Sequence, residues 1–294
     1  MWGAAARHSD PGGLHPAAGV DSNFIIGGSN WESGAGWETA AQAKAWSQAG
    51  FLVVSLPAGN ATALKAGLGL ASAFGSFVLA SPQTSSGTAV AIEPGTARSL
   101  SEAYSCSTAW GGFVLGESDG SEVAVSGIAK ASAAMRAGGA HYQIPLTLAW
   151  SVDTAIELAT DARAPLTAVA LPKANDYSQL PSSGWAQAVM QQQSDLAALG
   201  RSGEELTPAV QLDPCGLKTG GSMSESMVRF AAYSSVLIGG AQALWWEGMG
   251  RCAPVGSNEF ALIGDINNRI SQWCATMPQL IFIELRKELQ MNLN

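Results

Sequence analysis

Eight short apolar runs, separated by longer segments of helical periodicity, constrain this chain more than any other feature. They are "NFIIGGSN" (23–30), "FLVVSLP" (51–57), "SFVLASP" (76–82), "WGGFVLGESD" (110–119), "YQIPLTLAW" (142–150), "PLTAVALPKAND" (165–176), "LTPAVQLDPCG" (206–216) and "ALWWEGMGR" (243–251). A strand wetted on one face alternates polar and apolar residues. These runs are nearly continuous in apolar character, as a parallel sheet covered by helices requires. Their starts lie mostly about 25–40 residues apart, which accommodates one strand, one helix and two loops.

The intervening segments carry the helical part of the pattern. Val125, Ile128, Ala131 and Met135 are spaced to form one apolar face, and Ile263, Ile266, Ile270 and Trp273 form another. "SMSE" (222–225) has the form of a capping box, and "DGSE" (119–122) resembles one with Asp119 as the cap. Eight strand–helix units without a linker predict an α/β protein. The expected architecture is a (β/α)8 TIM barrel, a single domain over residues 23–277. Residues 1–22 read as a flexible N-terminal segment and 278–294 as a C-terminal helical extension. An open doubly wound sheet is the competing architecture, but no GxGxxG follows an early strand. The glycine-rich "GLGLASAFG" (67–75) falls in a helix-to-strand passage, where phosphates do not bind.

Composition narrows the ligands. Hydrophobic residues make up 47% of the 294 and charged residues 13%, with a formal net charge of −8. A nucleic-acid groove needs a basic footprint, so no nucleic-acid partner is expected, and neutral polyhydroxylated ligands suit the surface better. No apolar run approaches the ~18–20 residues of a membrane span, so no membrane partner is expected. The N-terminus lacks a basic stretch followed by an apolar one, so it does not read as a signal peptide. Cys106, Cys215, Cys252 and Cys274 are scattered, as are His8, His15 and His141, so neither a metal nor a cofactor is expected. A Ser-His-Asp hydrolase would have to draw its base from His141 and lacks a GxSxG turn. Cys215 and Cys252 follow the seventh and eighth strands, so their loops are neighbours on one rim. A bridge between them is expected, and it would imply an oxidising compartment, secreted or vacuolar/lysosomal.

In a barrel of this kind the active site lies at the C-terminal ends of the strands. Residues found there are Asn30 and Trp31 after the first strand, Glu117 and Asp119 at the fourth, and Trp150 at the fifth. Lys173 and Asp176 follow the sixth, Gln211 and Asp213 the seventh, and Trp245, Trp246 and Glu247 the eighth. Indoles offer flat apolar faces to sugar rings. Asn, Gln, Asp and Lys side chains pair with hydroxyls, and two carboxyl groups cleave a glycosidic bond between them. Strand alternation puts Trp245 and Glu247 on one face and Trp246 on the other.

The "GGFVLGESD" strand, the Trp-ending fifth strand and the "FAAYSSVLIGGAQALWWEG" unit resemble the barrels of retaining glycoside hydrolases of clan A and their relatives, over roughly residues 23–275. The resemblance implies a glycosidase. Glu117 matches the acid/base that ends strand four, with Gly116 in place of the usual asparagine, and Asp213 matches the nucleophile that ends strand seven, one methylene shorter. "LGESD" is also similar to the Leu-Gly-Asp-Glu-Pro of some related barrels. The expected mechanism has a protonated Glu117, its pKa raised by apolar surroundings, donating to the leaving oxygen, with Asp213 or Glu247 as nucleophile or base. Expected ligand contacts are Asn30, Trp31, Trp150, Lys173, Asp176, Gln211, Trp245 and Trp246, on a carbohydrate substrate. Two alternatives stand beside this reading: a Schiff-base aldolase built on Lys173, and a catalytically inactive carbohydrate-binding barrel.

Overall fold

The computed structural model describes residues 25–29, 37–81, 93–104, 106–118, 144–149, 168–170, 207–211, 224–237 and 243–276. Its eight strands are β1 (Ile25–Ser29), β2 (Val53–Pro57), β3 (Phe77–Ser81), β4 (Trp110–Ser118), β5 (Ile144–Ala149), β6 (Ala168–Ala170), β7 (Thr207–Gln211) and β8 (Ala243–Glu247). Each coincides with one of the apolar runs. The described helices are α1 (Ala40–Gln48), α2 (Ala61–Phe74), α3 (Pro94–Tyr104), α4 (Glu225–Leu237), the single turn α5 (Met249–Cys252) and α6 (Asn258–Thr276). The strands follow one another in the order β5-β4-β3-β2-β1-β8-β7-β6, and every ladder is parallel. β5 and β6, at the two ends of that order, lie beside each other, so the sheet closes into the expected (β/α)8 barrel. The proposed terminal segments, 1–22 and 278–294, lie outside the described residues, as does the stripe from Val125 to Met135.

Two sets of strand residues, alternating along the chain, separate the outside of the barrel from its interior. Ile26, Val54, Leu56, Val78, Ala80, Trp110, Phe113, Val210, Leu244 and Trp246 join helix residues such as Trp46, Leu64, Val228, Ile263, Ile266 and Ile270 in one apolar cluster. Val53, Leu79 and Trp245 are buried too, yet stand outside that cluster. Register links the second set: Gly27 pairs with both Val53 and Trp245, and Ser55 pairs with Leu79. The first set packs under the helices and the second fills the barrel.

Helix ends follow local chemistry. Thr39 and Gln42 form a reciprocal capping box at α1, and the Asn60 side chain accepts from the Ala63 N–H at α2 (2.9 Å). At α4 the cap is displaced from the sequence expectation. Ser224, not Ser222, accepts from a first-turn N–H, that of Met227 (3.3 Å), and the helix starts at Glu225. Two serines two residues apart are equal candidates by propensity. With the later one chosen, Glu225 lies in the first turn and reaches Arg229 at 2.9 Å. In α6, Ile263, Ile266 and Ile270 are buried as the periodicity predicts, and Trp273 packs against their cluster from the edge.

Candidate active site

The C-terminal end of β8 is fixed by its pairing on both sides. Gly28 pairs with Trp246, Ala209 with Trp245, and Gln211 with Glu247. Trp245 points into the barrel. A methyl carbon placed on Gly27 would lie 2.2 Å from its Cζ3, so the indole occupies the space that any other residue of β1 would fill. That explains the glycine in "IIGGS": the benzo ring lies across the β1 backbone. After Glu247 the chain leaves the sheet through Gly248, whose φ of 74° is in the left-handed region that an L side chain resists. The "EG" of "WWEG" thus ends the strand and turns it into α5.

Trp246 faces the opposite way, and this corrects its assignment as a ligand contact. It is 0% exposed and belongs to the cluster under the helices. Its indole N–H donates to Asn267 Oδ1 of α6 at 2.8 Å, and Asn267 Nδ2 donates to the Ala49 carbonyl at 3.0 Å. A side chain on the helix face of a strand cannot meet a ligand in the barrel mouth. Trp245 is on the ligand side by direction, but at 1% exposure it is a packed floor rather than an open platform.

β4 carries the other carboxylate and two irregularities. Its register slips once against β3, between Val78 and Leu79, and once against β5, between Val114 and Gly116. In the second slip Val114 pairs with Leu146 and Gly116 with Thr147, so Leu115 is the extra residue. Phe113, paired with Pro145, packs outward under the helices. Glu117 pairs with Leu148, an odd number of steps along β5. Its register position therefore belongs to the interior set, whereas an unbroken strand would give it the parity of Phe113. β4 and β8 are four strands apart in the ring of eight, on opposite walls.

The side chains of Glu117, Gln211 and Glu247 lie outside what the structure describes. Asn30, Trp31, Asp119, Trp150, Lys173, Asp176 and Asp213 lie outside the described residues altogether. Two residues that sequence reasoning passed over now matter. Ser55, a buried residue of the interior set, has a hydroxyl with no hydrogen-bond partner among the described residues, and the Trp245 indole N–H likewise has none. The other is Asn267, a buried amide on the isoleucine face of α6. Its signal was legible: position 267 falls between Ile263, Ile266 and Ile270, where a polar side chain needs a partner.

The flank of this rim is held by charge. Arg229 of α4 bridges Asp265 of α6 at 2.7 Å, and Asp265 also meets Arg269 at 3.2 Å. The hydrogen bonds from Arg229 and then Arg269 hold the Asp265 carboxyl below its ordinary pKa, and the bond to Asp265 raises that of Arg229. Cys252, at the end of α5, is disulfide-bonded, while Cys106 and Cys274 are free. Cys215 lies outside the described residues. Among the described residues no group of three or more His, Cys, Asp or Glu side chains could hold a metal ion, and no helix is long and apolar enough to cross a membrane.

No protein-family model matches this sequence, and no curated protein does. Solved structures do resemble it in shape. A protein provisionally named an alpha-L-fucosidase from Bacteroides thetaiotaomicron is 11% identical, with 90% of this chain and 100% of that one covered at a TM-score of 0.60. The GH99 endo-alpha-mannosidase from the same genus and species is 11% identical, covering 86% of this chain and 97% of that one at 0.54. The D-allulose 3-epimerase from Methylomonas sp. is 12% identical, covering 88% and 99% at 0.50. These likenesses show the barrel fold. Hydrolases and an isomerase share it, as expected of a scaffold whose chemistry resides in its rim.

Proposed function

We propose that this barrel is a glycoside hydrolase in which Glu117 and Glu247 act from opposite walls. The observation that carries the reading is the register of β4 and β8. Glu247 ends β8 and Glu117 is the last residue but one of β4, at the rim where such barrels do their chemistry, and both hold positions of the interior set. In β4 that position depends on the extra residue Leu115. In β8 it follows from Trp245, two residues earlier, whose ring faces inward. Register also favours a common level. A barrel shear of eight displaces the register by about one residue per strand. Leu148, the partner of Glu117, lies four residues beyond Ile144, the residue that the ladder joins to the line of Ser29, Ser55, Leu79 and Gly112.

Protonated Glu117 donates to the leaving glycosidic oxygen, and Glu247 removes a proton from the attacking water. Carboxylates on opposite walls favour the wider separation, roughly 6.5–9.5 Å, which leaves room for that water and inverts the anomeric centre. Trp245 forms the floor beneath the sugar. Trp31 and Trp150 offer faces for stacking, and Asn30, Gln211, Lys173, Asp176 and Asp213 pair with hydroxyls or steady the water. The Ser55 hydroxyl and Trp245 N–H, without partners among the described residues, supply two donors inside the barrel for a sugar hydroxyl or a bound water. Two of the similar solved structures carry glycosidase names, which supports the choice of chemistry.

The test uses a panel of 4-nitrophenyl glycosides: α-fucoside, α-mannoside and β-glucoside. On any glycoside the protein cleaves, Glu117→Gln and Glu247→Gln should each reduce kcat by at least about 10²-fold, the low end for removing a general acid or base. The first product anomer, read by proton NMR, should be inverted. Wild-type turnover in both variants would end the carboxylate-pair reading. A retained anomer would move the second role from Glu247 to Asp213.

A further inference from the structure

We infer that Asn267 is a positioning residue for the rim of β8: through the Trp246 indole it sets the rotation of the strand that carries Glu247. The proposal rests on the reading of Glu247 as one of the reacting carboxyls. Trp246 immediately precedes Glu247 in β8. Its N–H is held by Asn267 Oδ1 at 2.8 Å, and the same amide donates to Ala49 O at 3.0 Å. The Ala49 carbonyl ends α1, which precedes β2, so one side chain joins β8, the last described helix and the first described helix. All three groups belong to the cluster beneath the helices or to its boundary, where packing is dense and side chains hold single rotamers. Side chains alternate along a strand, so fixing the outward direction of Trp246 fixes the inward direction of the next position.

Stability alone gives no reason for an amide here. Asn267 is 0% exposed, among isoleucines 263, 266 and 270. Replacing both members of a buried hydrogen bond by apolar groups of similar shape is close to neutral. What an apolar pair cannot supply is direction. The hydrogen bond at one end of the indole adds a directional contact to that packing, whereas an apolar pair supplies shape alone. The left-handed turn at Gly248 closes the other side of Glu247. The glutamate therefore sits between two rigid points, one of them built by Asn267.

The experiment is carried out on the full chain labelled with 13C at glutamate Cδ. The Glu247 carboxyl resonance is assigned by its loss in Glu247→Gln. Trp246→Phe and Asn267→Leu should each displace that resonance, and the double variant should displace it no further, since both remove the same link. Where the protein turns over a glycoside, Asn267→Leu should lower kcat by up to about 10²-fold, the scale of a misplacement of about 1 Å, with KM unchanged. A folded Trp246→Phe or Asn267→Leu whose Glu247 resonance coincides with the parent's overturns the proposal. If Asn267→Leu does not fold, Trp246→Phe decides alone. Failure of the hydrolase reading is distinguishable: it shows as unchanged turnover in Glu117→Gln and Glu247→Gln, while the resonance still reports on the link.

Discussion

Replacing Gly27 by alanine tests whether Trp245 really fills the barrel, on which the inward parity of Glu247 depends. The new methyl carbon would stand 2.2 Å from Cζ3 and 2.3 Å from Cε3 of the indole. Carbon atoms in good contact stand about 3.5 Å apart, so the ring must retreat by about 1.3 Å, that is about 3.5 minus 2.2. It has nowhere to retreat to, being 1% exposed in an interior packed as densely as a crystal. Overpacking costs about 1–3 kcal/mol, and a clash with two ring atoms belongs in the upper half of that range. Alanine regains about 0.5–1 kcal/mol over glycine in a strand. The expected net loss is about 2 kcal/mol, or roughly 4 °C in Tm for a chain of this size. Urea unfolding followed by circular dichroism measures it. The decisive control is the same substitution in a Trp245→Leu background, where the methyl has room and should cost nothing. A Gly27→Ala variant within about 0.5 kcal/mol of the parent, or an equal cost in both backgrounds, would refute the inward indole.

Three other outcomes are expected. Gly69 lies exposed within α2, and a methyl added there would meet nothing within 4 Å, so Gly69→Ala should stabilise the fold by about 0.5–1 kcal/mol in the same urea assay. Because Asp265 titrates below its ordinary 3.8 when folded, its bridge to Arg229 contributes stability that is full above that value and is lost as pH falls through the lower, folded pKa. At side-chain exposures of 27% and 41% the bridge is worth only about 0.2–1 kcal/mol. Asp265→Asn should accordingly lose that much at pH 7 and show a shallower decline of stability below pH 4 than the parent. Peptide mapping without reductant should recover Cys252 joined to Cys215, and a maleimide at pH 8 should label exposed Cys106 well ahead of Cys274, whose thiol burial pushes up to about 11. Recovery of Cys252 as a free thiol, or equal labelling rates, would count against these readings.

The barrel was legible because its signal is repeated and coarse. Eight apolar runs at regular spacing leave few ways to bury eight strands, and a slip of a few residues in any one does not change the architecture. Strand positions therefore agree with the runs throughout. The same coarseness hid finer choices. Ser222 and Ser224 are equally good caps by propensity, and the helix takes the second. The two tryptophans of "ALWWE" have opposite fates, one filling the barrel and one bonded to Asn267. Alternation says that they differ, but not which is which. The two glycines of β1 separate them: a side chain at Gly27 would meet the Trp245 ring, whereas one at Gly28 would meet Phe51 and Trp46 of the cluster under the helices.

Glu117 shows why a site is harder to read than its scaffold. Counting from Phe113 by twos along "WGGFVLGES" gives the wrong face, because the period of two holds only while every residue is paired. The strand is nine residues long and carries register slips on both of its edges. Each inserted residue reverses the parity of everything beyond it. Glycine at 111, 112 and 116 weakens the ladder and tolerates such slips, so the sequence does hint that β4 is irregular. It does not say how many residues go unpaired, and the direction of the carboxylate depends on whether that number is odd or even. β8 has no such ambiguity, since its residues pair without a break on both sides from Trp245 to its end or to the limit of its partner. The two carboxylates are thus supported by different physics: one by an unbroken strand anchored through Asn267, the other by a bulge.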